Sequence, residues 1–222
     1  MSDQRGLLQL CKTISLVLTL GVSMNADAGL VGFGGANWKE EVLLHDGSKL
    51  IVNRSQTRGG RHEIGQEVPI NSHKISFTLP GVHEAITWET TIGLGANDSS
   101  LGLLALDVVK GVPYIVTSTY GCHAYNKWGR PNPPYVFFKY DGKAWQHIPL
   151  EEFPAEIKEA NVVNGIQKHE HQLDAHSGVV TVDEIKKING KLSHQVLYQQ
   201  VFVREPIKSS DYAPVLGCSK LE

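Results

Sequence analysis

Long hydrophobic runs are missing from this chain, and so are the short motifs that usually announce a reaction. No apolar stretch reaches the roughly 20 residues a membrane-spanning helix needs, so nothing beyond a removable leader is expected to cross a bilayer as a helix. There is no G-x-S-x-G elbow, no H-E-x-x-H helix and no C-x-x-C redox pair. Neither sign of charge dominates: 21 basic and 23 acidic residues leave a net charge of −2, which gives no global pull toward nucleic acid or an anionic membrane. No short internal repeat is visible, which argues against a propeller.

What is present begins with an export signal. Arg5 and Lys12 precede a short apolar stretch at 14–22, and Ala26-Asp27-Ala28 supplies a small-residue cleavage pattern. This order predicts a secretory signal peptide over residues 1–28, cleaved after Ala28. Cleavage removes two basic residues and two acidic ones (Asp3, Asp27), so the mature charge is unchanged at −2. Residues 29–37 are glycine-rich and read as a flexible leader. Residues 38–222 form the expected single domain, large enough to bury a core without a metal or dense disulfides. Cys11 leaves with the signal. Cys122 and Cys218 remain, and in an oxidising compartment they predict one disulfide. It closes a loop of about 97 residues, worth about 4 to 5 kcal/mol in the chain-entropy model.

The fold class is mainly β: antiparallel hairpins forming a sandwich or partly open barrel, with one or two short helices in the C-terminal third. Residues 74–91 alternate with period two and suggest a hairpin with Leu79 facing Ile86, Phe77 facing Trp88 and Ile75 facing Thr90. Asp46-Gly47 joins strands at 41–45 and 48–53, and Asp141-Gly142 joins 135–140 to 143–148. A two-residue loop at the second sets Phe138 opposite Trp145 and Val136 opposite His147. Further strands are expected at 103–109, 114–118 and 195–204. Helices are expected at 151–160, with Pro154 near its start, and at 181–188, where Thr181 and Glu184 make a capping box.

Three stretches carry a resemblance, Trp38-Lys-Glu-Glu-Val-Leu-Leu-His-Asp-Gly-Ser-Lys49, Arg58-Gly-Gly-Arg-His-Glu-Ile-Gly65, and Trp128-Gly-Arg-Pro-Asn-Pro-Pro-Tyr-Val-Phe-Phe-Lys-Tyr-Asp-Gly-Lys-Ala-Trp145, and they extend on to Pro149-Leu-Glu-Glu-Phe-Pro-Ala-Glu-Ile-Lys158. In these the chain resembles an uncharacterised group of exported proteobacterial proteins. The resemblance implies export and a shared fold, and it transfers no catalytic residue.

Three constellations compete for function. His169, His171 and His176, with Asp174 beside them, contain an H-x-H pair that on a strand points both imidazoles to one face. Such a set is a candidate metal site with an open position for water. Arg58, Arg61 and His62 lie in a glycine-rich segment suited to a phosphate or carboxylate. The segment 120–135 is aromatic, basic and proline-stiffened. Tyr125, Trp128 and Arg130 in it are residue types that dominate binding hot spots. Cys122 beside His123 is a poor thiol–base pair if both lie on a strand. The leading expectation is an exported binding or accessory protein of the cell envelope, without catalysis or cofactor. It would be periplasmic or secreted and would recognise another envelope protein through the 120–135 loop. The alternative is a periplasmic hydrolase using a divalent metal at the histidine cluster.

Overall fold

Period-two burial organises the first half of the chain. In the computed structural model, which describes residues 35–60, 63–66, 68–164, 173, 176–190, 200–208 and 218, β1 (Gly35–Leu43) and β2 (Lys49–Arg58) alternate exposed and buried positions. β3 (Ile70–Phe77) and β4 (Ile86–Thr91) largely keep the same rhythm. The remaining strands are β5 (Leu101–Val109), β6 (Val112–Thr119), β7 (Val136–Tyr140), β8 (Trp145–Ile148) and β9 (Val179–Val180). Two helices accompany them, α1 (Gly121–Lys127) and α2 (Val182–Asn189). One sheet runs β4-β3-β2-β1-β9 and the other β5-β6-β7-β8.

The sheets face each other across one apolar core. Val42, Val52, Ile75, Phe77 and Trp88 from the first meet Leu101, Leu106, Ile115, Val136 and Phe138 from the second. The far face of the second sheet is also covered, by Phe153, Ile157 and Phe202 packed on Val116, Phe137 and Ile148. Burial on both faces explains why β5 and β6 read as nearly continuous apolar runs. A bulge in β5 at Leu104 breaks the pairing register between Leu103 and Ala105, and Leu104 and Ala105 both join the far-side cluster. The architecture is therefore a sandwich of two sheets.

The hairpins show where the expected pairing shifts. In the β3–β4 hairpin Ile86 sits opposite Phe77 and Trp88 opposite Ile75, two residues from the expected register. Faces survive such a shift because the side-chain period is two. At Asp141-Gly142 the loop has four residues rather than two, with Tyr140 opposite Trp145 and Phe138 opposite His147. The Asp141 carboxylate accepts from the amides of Lys143 and Ala144, both at 2.8 Å, and closes this longer turn. The two-residue turn lies instead at Lys110-Gly111, where both residues have positive φ (52° and 78°) and Val109 pairs with Val112.

Other expectations are corrected. β1 begins at Gly35, inside the stretch read as leader, and a Cβ there would lie 2.5 Å from the Gln56 carbonyl. β9 pairs with β1 in parallel, so the pairing is not antiparallel throughout. The helix expected at 151–160 is one 3₁₀ turn, Leu150–Glu152. Phe153 precedes proline and is extended, as that position favours. The stretch 120–135, read as loop, contains α1, so Cys122 and His123 are helical rather than on a strand. From the expected strand at 195–204, residues 195–199 lie outside the described residues, and Val201 makes only an isolated bridge to Glu159. α2 carries the expected Thr181–Glu184 capping box, and Cys122–Cys218 are joined as a disulfide. The signal segment lies outside the described residues.

Candidate functional site

The 120–135 segment divides its expected binding residues between two jobs. Tyr125 is 6% exposed and packs with Cys218. The Arg130 guanidinium lies 4.9 Å from the Tyr125 ring centre and donates to Asn126 Oδ1 (2.8 Å) and to the Cys218 carbonyl (3.1 Å). Both residues therefore build the corner around the disulfide. Trp128 turns to the core. Its Nε1 donates to the Ser99 carbonyl at 2.8 Å, and its ring stands edge-on to Phe138 and His147 at 5.7 and 5.4 Å.

Trp128 there meets two further tryptophans. A cleft of about 230 Å³ opens at the seam between β4 and β8, lined by Thr87, Trp88, Glu89, Trp128, Phe138 and Trp145, with Ser99 and Leu101 completing it. Three of the four tryptophans in the sequence converge on it. Trp145 reaches across the seam to donate from Nε1 to the Thr87 carbonyl at 2.7 Å. Each partly exposed indole is thus pinned by a hydrogen bond to backbone, which lowers the ordering cost of binding against it. The only formal charge among the described lining residues is Glu89.

The register of β4 fixes which main-chain groups face this seam. Ile92 donates to the Asn71 carbonyl, so Asn71 and Ile92 form a hydrogen-bonded pair. Alternation then makes His73–Thr90 and Ile75–Trp88 bonded pairs, and Thr87, Glu89 and Thr91 turn their amides and carbonyls outward. The Thr91 carbonyl accepts from Ser100 N, and the Thr87 carbonyl from Trp145. Between these closures Glu89 presents N–H and C=O with no partner among the described residues.

A second cleft, about 220 Å³, lies between the β1–β2 turn and α2, with His45, Asp107, Glu156, Lys158 and Lys186 among its lining. The buried Asp107 carboxylate contacts His45 Nδ1 at 2.7 Å and accepts from the amides of His45 and Val108. This contact raises the His45 pKa above its ordinary value, chiefly through the hydrogen bond to Asp107. An Asp–His pair of this kind orients a general base, but among the described residues no serine, cysteine or threonine lines the cleft. Asn161 holds the same region together, donating to the Leu43 and Leu106 carbonyls and accepting from Leu106 N.

Between the sheets, beyond the apolar core, lies a polar row. Ala36, Gln56, His73 and Thr90 stand side by side across β1 to β4, next to Trp38, Arg54, Ile75 and Trp88. Glu40 accepts from Trp38 Nε1 (2.6 Å), from Arg54 (3.2 Å) and from the amide of Val163 (3.2 Å). Among the described residues, Arg54 Nε, the Gln56 amide and His73 Nδ1 are buried without a hydrogen-bond partner. Burial, helped by the charge on Arg54, lowers the His73 pKa to about 3. Tyr120 covers this row. It is 43% exposed overall, yet its phenol head lies against Gly102, and burial pushes its ionisation up.

The other expected sites are only partly described. Arg58 donates to the Val68 carbonyl at 2.6 Å, while Arg61 and His62 lie outside the described residues. His176 contacts Glu184 at 3.4 Å on the capping turn of α2. His169, His171 and Asp174 lie outside the described residues, and among the described residues no three metal-ligating side chains converge. No described helix is long and apolar enough to cross a membrane.

Sequence reasoning found Trp128 but not its companions. Trp88 and Trp145 carry ordinary strand signals, and they meet only through the stacking of two sheets. No protein-family model matches the chain, and neither any curated protein nor any solved structure does.

Proposed function

We propose that this chain is an exported, non-catalytic binding or accessory protein of the cell envelope that recognises another envelope protein through the aromatic cleft at the β4–β8 seam. The observation that carries the reading is the convergence of Trp88, Trp128 and Trp145 on one cleft, with the two partly exposed indoles pinned to backbone carbonyls. Aromatic side chains held in this way bring large contact area at low entropic cost. Among the described residues, the same surface contains neither a nucleophile–base pair nor a cluster of ligating side chains. The charged start, short apolar stretch and small-residue pattern at residues 1–28 support export, and a disulfide suits an oxidising compartment.

The test is co-purification from the envelope fraction with the full chain as bait. A stoichiometric partner is expected with the native protein and with Arg130→Lys. It is expected to be lost with Trp145→Ala, whose fold is checked by near-ultraviolet circular dichroism. A folded Trp145→Ala protein that keeps its partner overturns the assignment.

A further inference from the structure

We infer that the seam binds an extended segment of its protein partner by strand pairing at Glu89, with one side chain of that segment entering the tryptophan cleft. The inference rests on the cleft being the recognition site and adds the kind of partner it takes.

β4 is the edge strand of its sheet. An edge strand offers main-chain donors and acceptors to any other strand, and proteins usually blunt that offer. Here the blunting is local. Ser100 N occupies the Thr91 carbonyl, and the Trp145 indole occupies the Thr87 carbonyl. Among the described residues Glu89 alone on β4 keeps both of its outward groups free, and an antiparallel strand residue exchanges two hydrogen bonds with such a position. A cofactor or sugar has no particular need of an amide and a carbonyl from one residue. An extended peptide matches both, which is the basis of strand addition.

The volume and the charge agree with this occupant. About 230 Å³ is below the usual range for a whole small-molecule ligand and suits one large side chain. Glu89 is the only charged residue among the described lining residues, and no ion pair joins it to Lys74, its neighbour across the β3–β4 pair. The carboxylate, on the exposed face of β4, therefore favours a basic residue at the position paired with Glu89, while the residue next to it points into the cleft. It also discourages edge-to-edge pairing between two copies of this chain, because each would bring the same charge to the contact.

The test separates main-chain pairing from side-chain recognition. A phage-displayed random heptapeptide library is selected on the full folded protein, and a selected peptide is measured by titration. Glu89→Ala keeps the amide, whereas Glu89→Pro removes it at a position that donates nothing to β3, where an edge strand tolerates proline. Glu89→Ala, which removes the carboxylate, is expected to bind about two- to fivefold more weakly than the native protein, the worth of one exposed ion pair, and Glu89→Pro at least tenfold more weakly than Glu89→Ala. The peptide N-methylated at its pairing residue is also expected to lose at least tenfold. The Glu89 amide, followed by hydrogen exchange in the native protein, is expected to slow on binding, a readout independent of how well the proline variant folds. Unchanged exchange at Glu89, or equal binding by the N-methylated peptide, overturns strand pairing. If Trp145→Ala still abolishes binding in that case, the cleft stands and only the mode of recognition is wrong. Failure of the library to yield any peptide sensitive to Trp145→Ala overturns both.

Discussion

Gln56 and His73 stand opposite one another on the inner face of the first sheet, 2% and 4% exposed, and among the described residues neither the Gln56 amide nor His73 Nδ1 meets a hydrogen-bond partner. Burial of His73 gives the protein a sensitivity to acid. The unfolded chain takes a proton on His73 near pH 6.5, while the folded chain refuses it until about 3. Between these values the unfolded state binds more protons, so stability falls as the pH falls. The full loss is on the order of 4 to 5 kcal/mol. Denaturant midpoints from pH 7 to 3.5 should show this slope, and His73→Gln should flatten it.

Arg54 and Glu40 predict a different response. Their side chains are almost completely buried and 3.2 Å apart. Removing one partner leaves an uncompensated interior charge, so Arg54→Met should cost about 3 to 5 kcal/mol. Arg54→Met with Glu40→Gln should recover part of that loss. A double-mutant cycle in urea checks it, and additive losses would show that the two charges do not act as a pair.

His45 runs against His73 in pH. Its folded pKa is raised by Asp107, so the stabilisation is fully present below about pH 6.5 and fades as the pH rises through the raised value. Proton exchange at the His45 ring, followed by NMR, should give a midpoint above 6.5 in the native protein and a lower one in Asp107→Asn. The same midpoint in both would remove Asp107 as the cause.

The Cys122–Cys218 bridge spans a sequence separation of 96. Its reduction, or Cys122→Ser with Cys218→Ser, should cost about 2 to 5 kcal/mol. The disulfide corner also holds Arg130 through the Cys218 carbonyl, so Arg130→Ala should weaken the native protein more than the reduced one. Unfolding curves with and without reductant test both statements.

Legibility in the sequence followed the range of the physics. Period-two alternation over residues 74–91 revealed which side of β3 and β4 is buried, because that property belongs to neighbouring residues. Pairing partners slipped by two at Phe77 and Phe138, since alternation is blind to a shift of two and turn chemistry alone decides it. Asp141 settled its turn by accepting from two amides, which Asp-Gly does not announce. α1 escaped because seven residues between a disulfide cysteine and Trp128 carry too little periodicity. The cleft escaped in part because Thr87 and Trp145, 58 residues apart, meet only when two sheets are stacked.

The inner face of the first sheet is divided lengthwise, with Val42, Val52, Phe77 and Ile86 toward one end and Gln56, His73 and Thr90 toward the other. Apolar burial weakens on cooling, whereas the His73 row yields to protons. Cold and acid should therefore loosen opposite ends of the same sandwich, so that a mild dose of each opens a different half of the molecule to solvent.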